Sequence, residues 1–461
     1  MLAGTARPAP TYHVAEGMPP RLALARAVRA PAAAEGTVSE SMPRMREKVA
    51  GQLRPMIEML RAGMLPHGHL LAGALEAVVA HYEETFRVLD EHNRKLCWYE
   101  FCVTPEIFRA MDVHPFLGEV HPPILTLGTP ELCWHYVDRA HAYGLPSEVC
   151  VLDKVMLGAL LEGEMPQPDF IVTASAPCDS SRIGYQIFEQ ITGCPTLRLD
   201  APTDDSAEAH RYYAGQLRKL IAFLEEQTGR RLDPDRLREV CEESNRACEA
   251  MRELLELRRA VPCPHPGTVG FNSYMALLCS LGSPELTRYL EFLRDDAAAR
   301  VAAGRGAIPD ERYRVLWYYV PVTFDFELAT WLEETFGAVV ITDALSSFLR
   351  ADPVDTSDFD SMLVGLARRG LETTMGRLRV RASVLTERFL RDVQDFRADC
   401  VVFPSPVGCK HVWAWLGLLR RVCRERGIPL YAFDLDWMDS RTRSSEEIRG
   451  GIEQFFATVM S

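Results

Sequence analysis

Three cysteines set far apart, Cys133, Cys178 and Cys409, stand where strand-to-helix turns are expected. Cys178 opens Cys-Asp-Ser-Ser-Arg directly after the apolar run Phe170-Ile-Val-Thr, and Cys409 lies in Gly-Cys-Lys-His just after Cys400-Val-Val-Phe. Cys133 begins the helical stretch Glu131-Leu-Cys-Trp-His-Tyr-Val. In open parallel sheets ligands bind beyond the carboxyl ends of the strands, where such turns deliver their side chains. Three thiolates meeting there suit an iron-sulfur cluster, which is usually held by four cysteines, and leave one iron open to a substrate or small ligand. A lone cysteine is more often a small buried hydrophobe. That reading goes to Cys150, Cys194, Cys241, Cys248, Cys279, Cys400 and Cys423, which lie in apolar strands or on helix faces. Cys97 and Cys102 have an odd separation, so a strand would point them to opposite faces.

Other chemistries find little support. There is no Cys-x-x-Cys pair and no Gly-x-x-x-x-Gly-Lys-Ser/Thr loop, and Gly304-Arg-Gly306 ends a helix rather than opening one. A partner must therefore supply any ATP site. No Gly-x-Ser-x-Gly elbow is present, which argues against acyl-transfer hydrolysis. Cys263-Pro-His265 reads as an ordinary connecting loop. The acidic stretch Asp434-Leu-Asp436-Trp-Met-Asp439-Ser-Arg441 follows the last apolar strand and offers metal ligands, bases, or caps and ion pairs.

The elements that must position these residues follow from periodicity. The chain has 461 residues, 47% hydrophobic and 25% charged, enough for a full core without disulfides. Its net charge of −13 disfavours nucleic acid and anionic membranes, both of which require basic neutralisation. Thirteen cysteines without regular spacing indicate reduced thiols and a cytoplasmic location, and neither a secretory signal nor a membrane span is expected. Residues 1–40 read as a disordered tail and 41–95 as a helical arm. Residues 96–203 read as a first α/β half, with strands at Leu96–Val103, Phe116–Val120, Phe170–Thr173 and Thr196–Leu199. Residues 204–308 read as a helical segment. Residues 309–461 form a second half, with strands at Arg314–Val320, Ala338–Thr342, Cys400–Phe403 and Leu430–Phe433. The fold class is α/β: two doubly wound, Rossmann-like parallel-sheet halves joined by helices, with the thiols in the cleft between them.

With these motifs in order, the chain resembles the iron-sulfur subunits of 2-hydroxyacyl-CoA dehydratases and benzoyl-CoA reductases from about Cys97 onward. The resemblance rests on Thr104-Pro-Glu-Ile-Phe-Arg-Ala-Met, the helix at Cys133, Cys178-Asp179 and Gly408-Cys-Lys410. Gly427-Ile-Pro-Leu-Tyr-Ala-Phe-Asp-Leu-Asp436, Asp439-Ser-Arg441 and Ile452-Glu-Gln-Phe add to it. It implies that Cys133, Cys178 and Cys409 hold a [4Fe-4S] cluster, or in related members a double-cubane [8Fe-9S] cluster. It also implies a related iron-sulfur subunit, as a hetero- or homodimer, and an ATP-hydrolysing iron-sulfur activator that donates a low-potential electron. In that family the electron turns a CoA-thioester carbonyl into a ketyl radical that expels the 2-hydroxyl, or it dearomatises a ring. Glu106 is then a candidate for proton transfer, or a carboxylate stabilising a helix N-terminus. Lys410 tunes cluster charge or contacts thioester or phosphate. The chain departs from the family pattern at Pro406-Val-Gly408, where many members have Arg or Ser before the third cysteine, and at Gly450-Gly451, where Arg is usual. The rival readings are a double-cubane reductase of a small molecule, a two-lobed small-molecule binder and a noncatalytic electron-relay subunit.

Overall fold

The computed structural model describes residues 41–65, 67–343 and 352–460. The tail expected over 1–40 lies outside the described residues. Each half is built on a four-stranded, all-parallel sheet. The first comprises β1 (Lys95–Tyr99), β2 (Val113–Leu117), β3 (Phe170–Ala174) and β4 (Thr196–Leu199); the second comprises β5 (Tyr313–Trp317), β6 (Ala338–Asp343), β7 (Cys400–Pro406) and β8 (Leu430–Leu435). The spatial orders are β2-β1-β3-β4 and β6-β5-β7-β8, so the two halves repeat one topology. β2, β3 and β7 are buried along their whole length, as expected of strands covered by helices on both faces. In each sheet the strand order reverses between its first strand and its third, and a crevice opens there at the carboxyl ends.

The eight strands lie close to where periodicity placed them, with shifted bounds: the first ends at Tyr99 rather than Val103, the second spans Val113–Leu117 rather than Phe116–Val120, and the fifth ends at Trp317 rather than Val320. The second strand ends at Leu117, and Gly118–Val120 turns into a short 3-10 helix that runs on into His121–Leu125. Pro122 and Pro123 supply no backbone N–H for a ladder, so the strand stops before them.

Local signals explain the helices. Ser206, Asp233 and Ser283 cap the helices Ala207–Thr228, Pro234–Leu257 and Pro284–Ala302 with their side-chain oxygens, the last two aided by Pro at the first position. Ser444 and Glu447 form a capping box on Ser445–Phe455. Within the N-terminal region, helix Gly68–Glu91 packs on helix Gly267–Ser280, where Ser280 Oγ donates to the Ala77 carbonyl at 3.1 Å. Tyr289 donates to the Leu70 carbonyl at 2.9 Å, its ring against Gly73, where a Cβ would collide with it. This arm is therefore bolted to the helical segment, and helix Gly267–Ser280 in turn covers the crevice between the sheets.

The halves are joined by polar contacts, one of them a buried ion pair. Lys154 Nζ donates to Asp436 Oδ2 at 3.0 Å with both side chains 5% exposed. Trp134 Nε1 donates to Ser440 Oγ, and Arg441 links Asp439 to Asp138. The acidic stretch after β8 thus serves as an ion-pair seam.

Candidate functional site

A cavity of about 900 Å³, counting its open mouth, lies at the carboxyl ends of both sheets. Three cysteines line it: Cys150, Cys178 and Cys409. Each is the residue immediately before a helix, Val151–Leu161, Asp179–Thr192 and Lys410–Arg426 respectively. Each contributes its carbonyl to the first turn, to Lys154, Arg182 and Trp413 N–H. Three helix N-termini therefore point into one space. Their positive ends favour anions and lower the cost of thiolates there.

The structure brings together two of the three cysteines singled out from sequence and leaves the third aside. Cys133 is 0% exposed and is not among the cavity residues. It is the fourth residue of helix Pro130–Tyr143, which starts at Pro130 after Thr129, so its side chain leaves the helix wall rather than its end. Burial raises its thiol pKa, and the nearest charges are Asp439, Asp436, Arg441 and Lys154 of the seam. Cys150, read from sequence as a core residue, stands in the cavity where Cys133 was expected.

Close packing holds the three turns in register. Ser180 Oγ accepts the Cys150 N–H at 2.9 Å and lies 3.5 Å from the Gly408 carbonyl oxygen. A Cβ on Gly408 would fall 2.6 Å from the Cys150 Cα, so only glycine lets the Cys409 turn approach the Cys150 turn this closely. Burial is the main cause of the raised thiol pKa at all three sites. For Cys150, the charges of Cys178 and Cys409 add to it. Three thiolates gathered there without a cation would be costly, so burial keeps the thiols protonated, whereas binding a metal removes their protons and supplies the missing charge. No group of three His, Cys, Asp or Glu among the described residues is close enough to hold a single metal ion. Three thiols around an open cavity match a polynuclear cluster better than one ion.

Tyr319, just past β5, has φ +120°, a strained value for a bulky residue, and its phenol lies 3.4 Å from Cys409 Sγ and 3.7 Å from Met375 Sδ. Glu119 and Asp153 also line the cavity. Tyr185 donates to Glu119 Oε2 at 3.0 Å, while Glu119 Oε1 is buried without a partner. Burial, reinforced by the Glu100 charge, holds the Glu119 carboxyl protonated well above the usual range. Phe271, Tyr274, Met275 and Leu278 form the apolar roof, and Lys410 and His411 stand near the mouth.

Of the two proposed chemical groups, Lys410 lines the cavity and Glu106 does not. Glu106 is fully buried against Arg369, whose Nη1 donates to it at 2.6 Å. His265 is likewise taken up in structure, bonded to Asp296 at 2.9 Å. Sequence reasoning passed over Cys150, Glu119 and Tyr319. The signal for Cys150 was its place before Val151-Leu-Asp153, a cap position like those of Cys178 and Cys409.

Two repeated parallel sheets with thiols converging at their shared crevice define a class of two-half thiol-bearing α/β enzyme subunits. Residues 100–458 match the family model described as 2-hydroxyglutaryl-CoA dehydratase, D-component, and the chain belongs to that family. It is similar to the (R)-phenyllactyl-CoA dehydratase alpha subunit of Clostridium sporogenes, 24% identical over 77% of this chain and 88% of the relative. A benzoyl-CoA reductase subunit of Thauera aromatica is 24% identical over 69% of this chain and 78% of its own. The alpha subunit of (R)-2-hydroxyglutaryl-CoA dehydratase from Acidaminococcus fermentans is 24% identical over 60% and 57% respectively. The chain is an enzyme subunit of this dehydratase and reductase type. Among the described residues no helix is long and apolar enough to cross a membrane.

Proposed function

We propose that this chain is the iron-sulfur subunit of an enzyme that dehydrates or reduces a CoA thioester. Cys150, Cys178 and Cys409 would hold the cluster. The observation that carries this reading is the meeting in one cavity of three cysteines that each stand at a helix N-cap position, in a chain of this family. When bound, the cluster supplies one low-potential electron to the substrate. Its thiolates would be stabilised by the three helix N-termini and by the Tyr319 phenol, which can only donate to a sulfur that has lost its proton.

The remaining residues prepare the substrate. The apolar roof of Phe271, Met275 and Leu278 excludes water, which strengthens every charge interaction inside. Lys410 at the mouth is placed to meet the anionic part of a CoA thioester. Glu119, which lines the cavity and whose buried Oε1 has no hydrogen-bond partner, replaces Glu106 as the group that holds and moves a proton. The relatives are named as subunits of dehydratases and a reductase, which supports a companion subunit here, and the absence of a phosphate-binding loop in the sequence supports an external ATP-driven electron donor.

Anaerobic turnover of CoA thioesters by the chain with its companion subunit and an ATP-driven donor tests this reading. Glu119→Gln is expected to lower turnover at least a hundredfold while leaving iron content and thioester binding unchanged. Full iron content without turnover of any thioester would instead support the electron-relay role.

A further inference from the structure

A second cavity, about 560 Å³ counting its mouth, shares a wall with the first. Phe101, Tyr274 and Leu278 line both. The Phe101 backbone is fixed, since its carbonyl accepts from Thr373 Oγ1 at 2.9 Å, but its ring is only half-buried and stands between the two spaces. Beyond it the wall is mostly apolar, including Val103, Leu117, Leu277 and Leu281.

The few charged groups in the second cavity decide what it can accept. Its one cation among the described residues, Arg369, is already neutralised by Glu106 and further bonded to Ser244 and Asn245, leaving only Nε without a partner. The other charged side chain is Glu372. An incoming carboxylate would lose its hydration, meet a like charge and find no free cation among the described residues. An apolar group loses nothing on entry and gains about fourfold in affinity for each methylene buried.

We propose that this second cavity receives the side chain of the acyl group, and that the enzyme selects CoA thioesters whose acyl chain ends in an aromatic or branched aliphatic group. Short acyl groups do not reach it and dicarboxylic ones are rejected. The assignment rests on the thioester reading of the first cavity.

Calorimetric binding to the full chain, purified without oxygen and checked for iron, tests it with four probes: acetyl-, 4-methylpentanoyl-, 3-phenylpropionyl- and glutaryl-CoA. The two apolar thioesters are expected to bind at least tenfold more tightly than acetyl-CoA, and glutaryl-CoA no more tightly than acetyl-CoA. Leu277→Phe and Leu281→Phe, which fill the second cavity from one helix wall a turn apart, should abolish the tenfold gain and leave acetyl-CoA binding unchanged. Phe101→Ala, which widens the passage, should preserve or increase the gain for 3-phenylpropionyl-CoA. Tighter binding of glutaryl-CoA, or a gain that survives both filling substitutions, would overturn the assignment while sparing the thioester reading. Failure of all four thioesters to bind would overturn both.

Discussion

At the scale of single residues, the cavity depends on contacts that permit almost no substitution. Gly408→Ala would drive a methyl into the Cys150 backbone, and the two turns can separate only by moving a thiol out of the cavity. The expected result is a folded chain with most of its iron lost, read by iron content beside an unchanged far-ultraviolet spectrum. Tyr319→Phe removes the phenol from Cys409 Sγ and keeps the ring. A hydrogen bond to a ligand sulfur favours the more negative, reduced state, so its loss should lower the cluster's reduction potential at constant iron content. A potential unchanged in an anaerobic titration would count against that hydrogen bond. At this scale the sequence was partly legible. Cys178 and Cys409 follow obvious strands, so their cap positions could be read. Cys150 precedes Val151–Leu161, whose apolar composition reads as plain core, and the helix beginning there hides the cap. Cys133 lies apart from that cavity because Pro130 starts its helix three residues earlier and the thiol is buried in the packing.

At the scale of elements, what ties helices to sheets also sets the response to pH. Helix Gly68–Glu91 meets β2 through His81, stacked on His114 at 5.2 Å, with His121 bonded to Tyr82 at 2.9 Å. Burial is the largest cause holding these imidazoles neutral, with His81 down at about 3 and His121 at about 4. The unfolded chain binds protons at these histidines below about pH 6.5 and the folded chain does not. Stability is therefore lost as pH falls from about 6.5 toward 4. Glu333 acts in the other direction. Burial raises it to about 7, so its contribution is present at low pH and lost as pH rises through 7. Thermal unfolding should be most resistant in mildly acidic buffer, and His81→Phe should flatten the acid limb. An acid limb of unchanged slope would show that this stack does not govern it. The strands themselves were legible because they are short, largely apolar runs that alternate with helical periodicity. The pairing of three histidines from the arm, β2 and the following turn was not, since nothing local in a sequence tells which distant helix a buried imidazole will meet.

For the whole molecule, the crevice exists only while the halves stay locked, and the Lys154–Asp436 pair lies in that lock. Lys154→Met leaves a buried carboxylate alone and should cost about 3–5 kcal/mol, measured by denaturant unfolding. Lys154→Met with Asp436→Leu should recover most of that loss, because a matched apolar pair removes the stranded charge. A double variant as unstable as the single one would mean that the seam acts through packing instead. The two-half plan could be read from alternating strands and helices, whereas the seam and the second cavity depend on residues more than 200 positions apart in the chain.

The central claim is that Cys150, Cys178 and Cys409, and not Cys133, hold an iron-sulfur cluster. Iron and acid-labile sulfide, with electron paramagnetic resonance, should be measured on protein purified without oxygen, for the native chain and for Cys150→Ala, Cys178→Ala, Cys409→Ala and Cys133→Ala. About four irons per chain are expected, or about eight for a double cubane, lost in the first three variants and retained in Cys133→Ala. A native chain without iron, or a Cys150→Ala chain that keeps its cluster while Cys133→Ala loses it, would contradict the account.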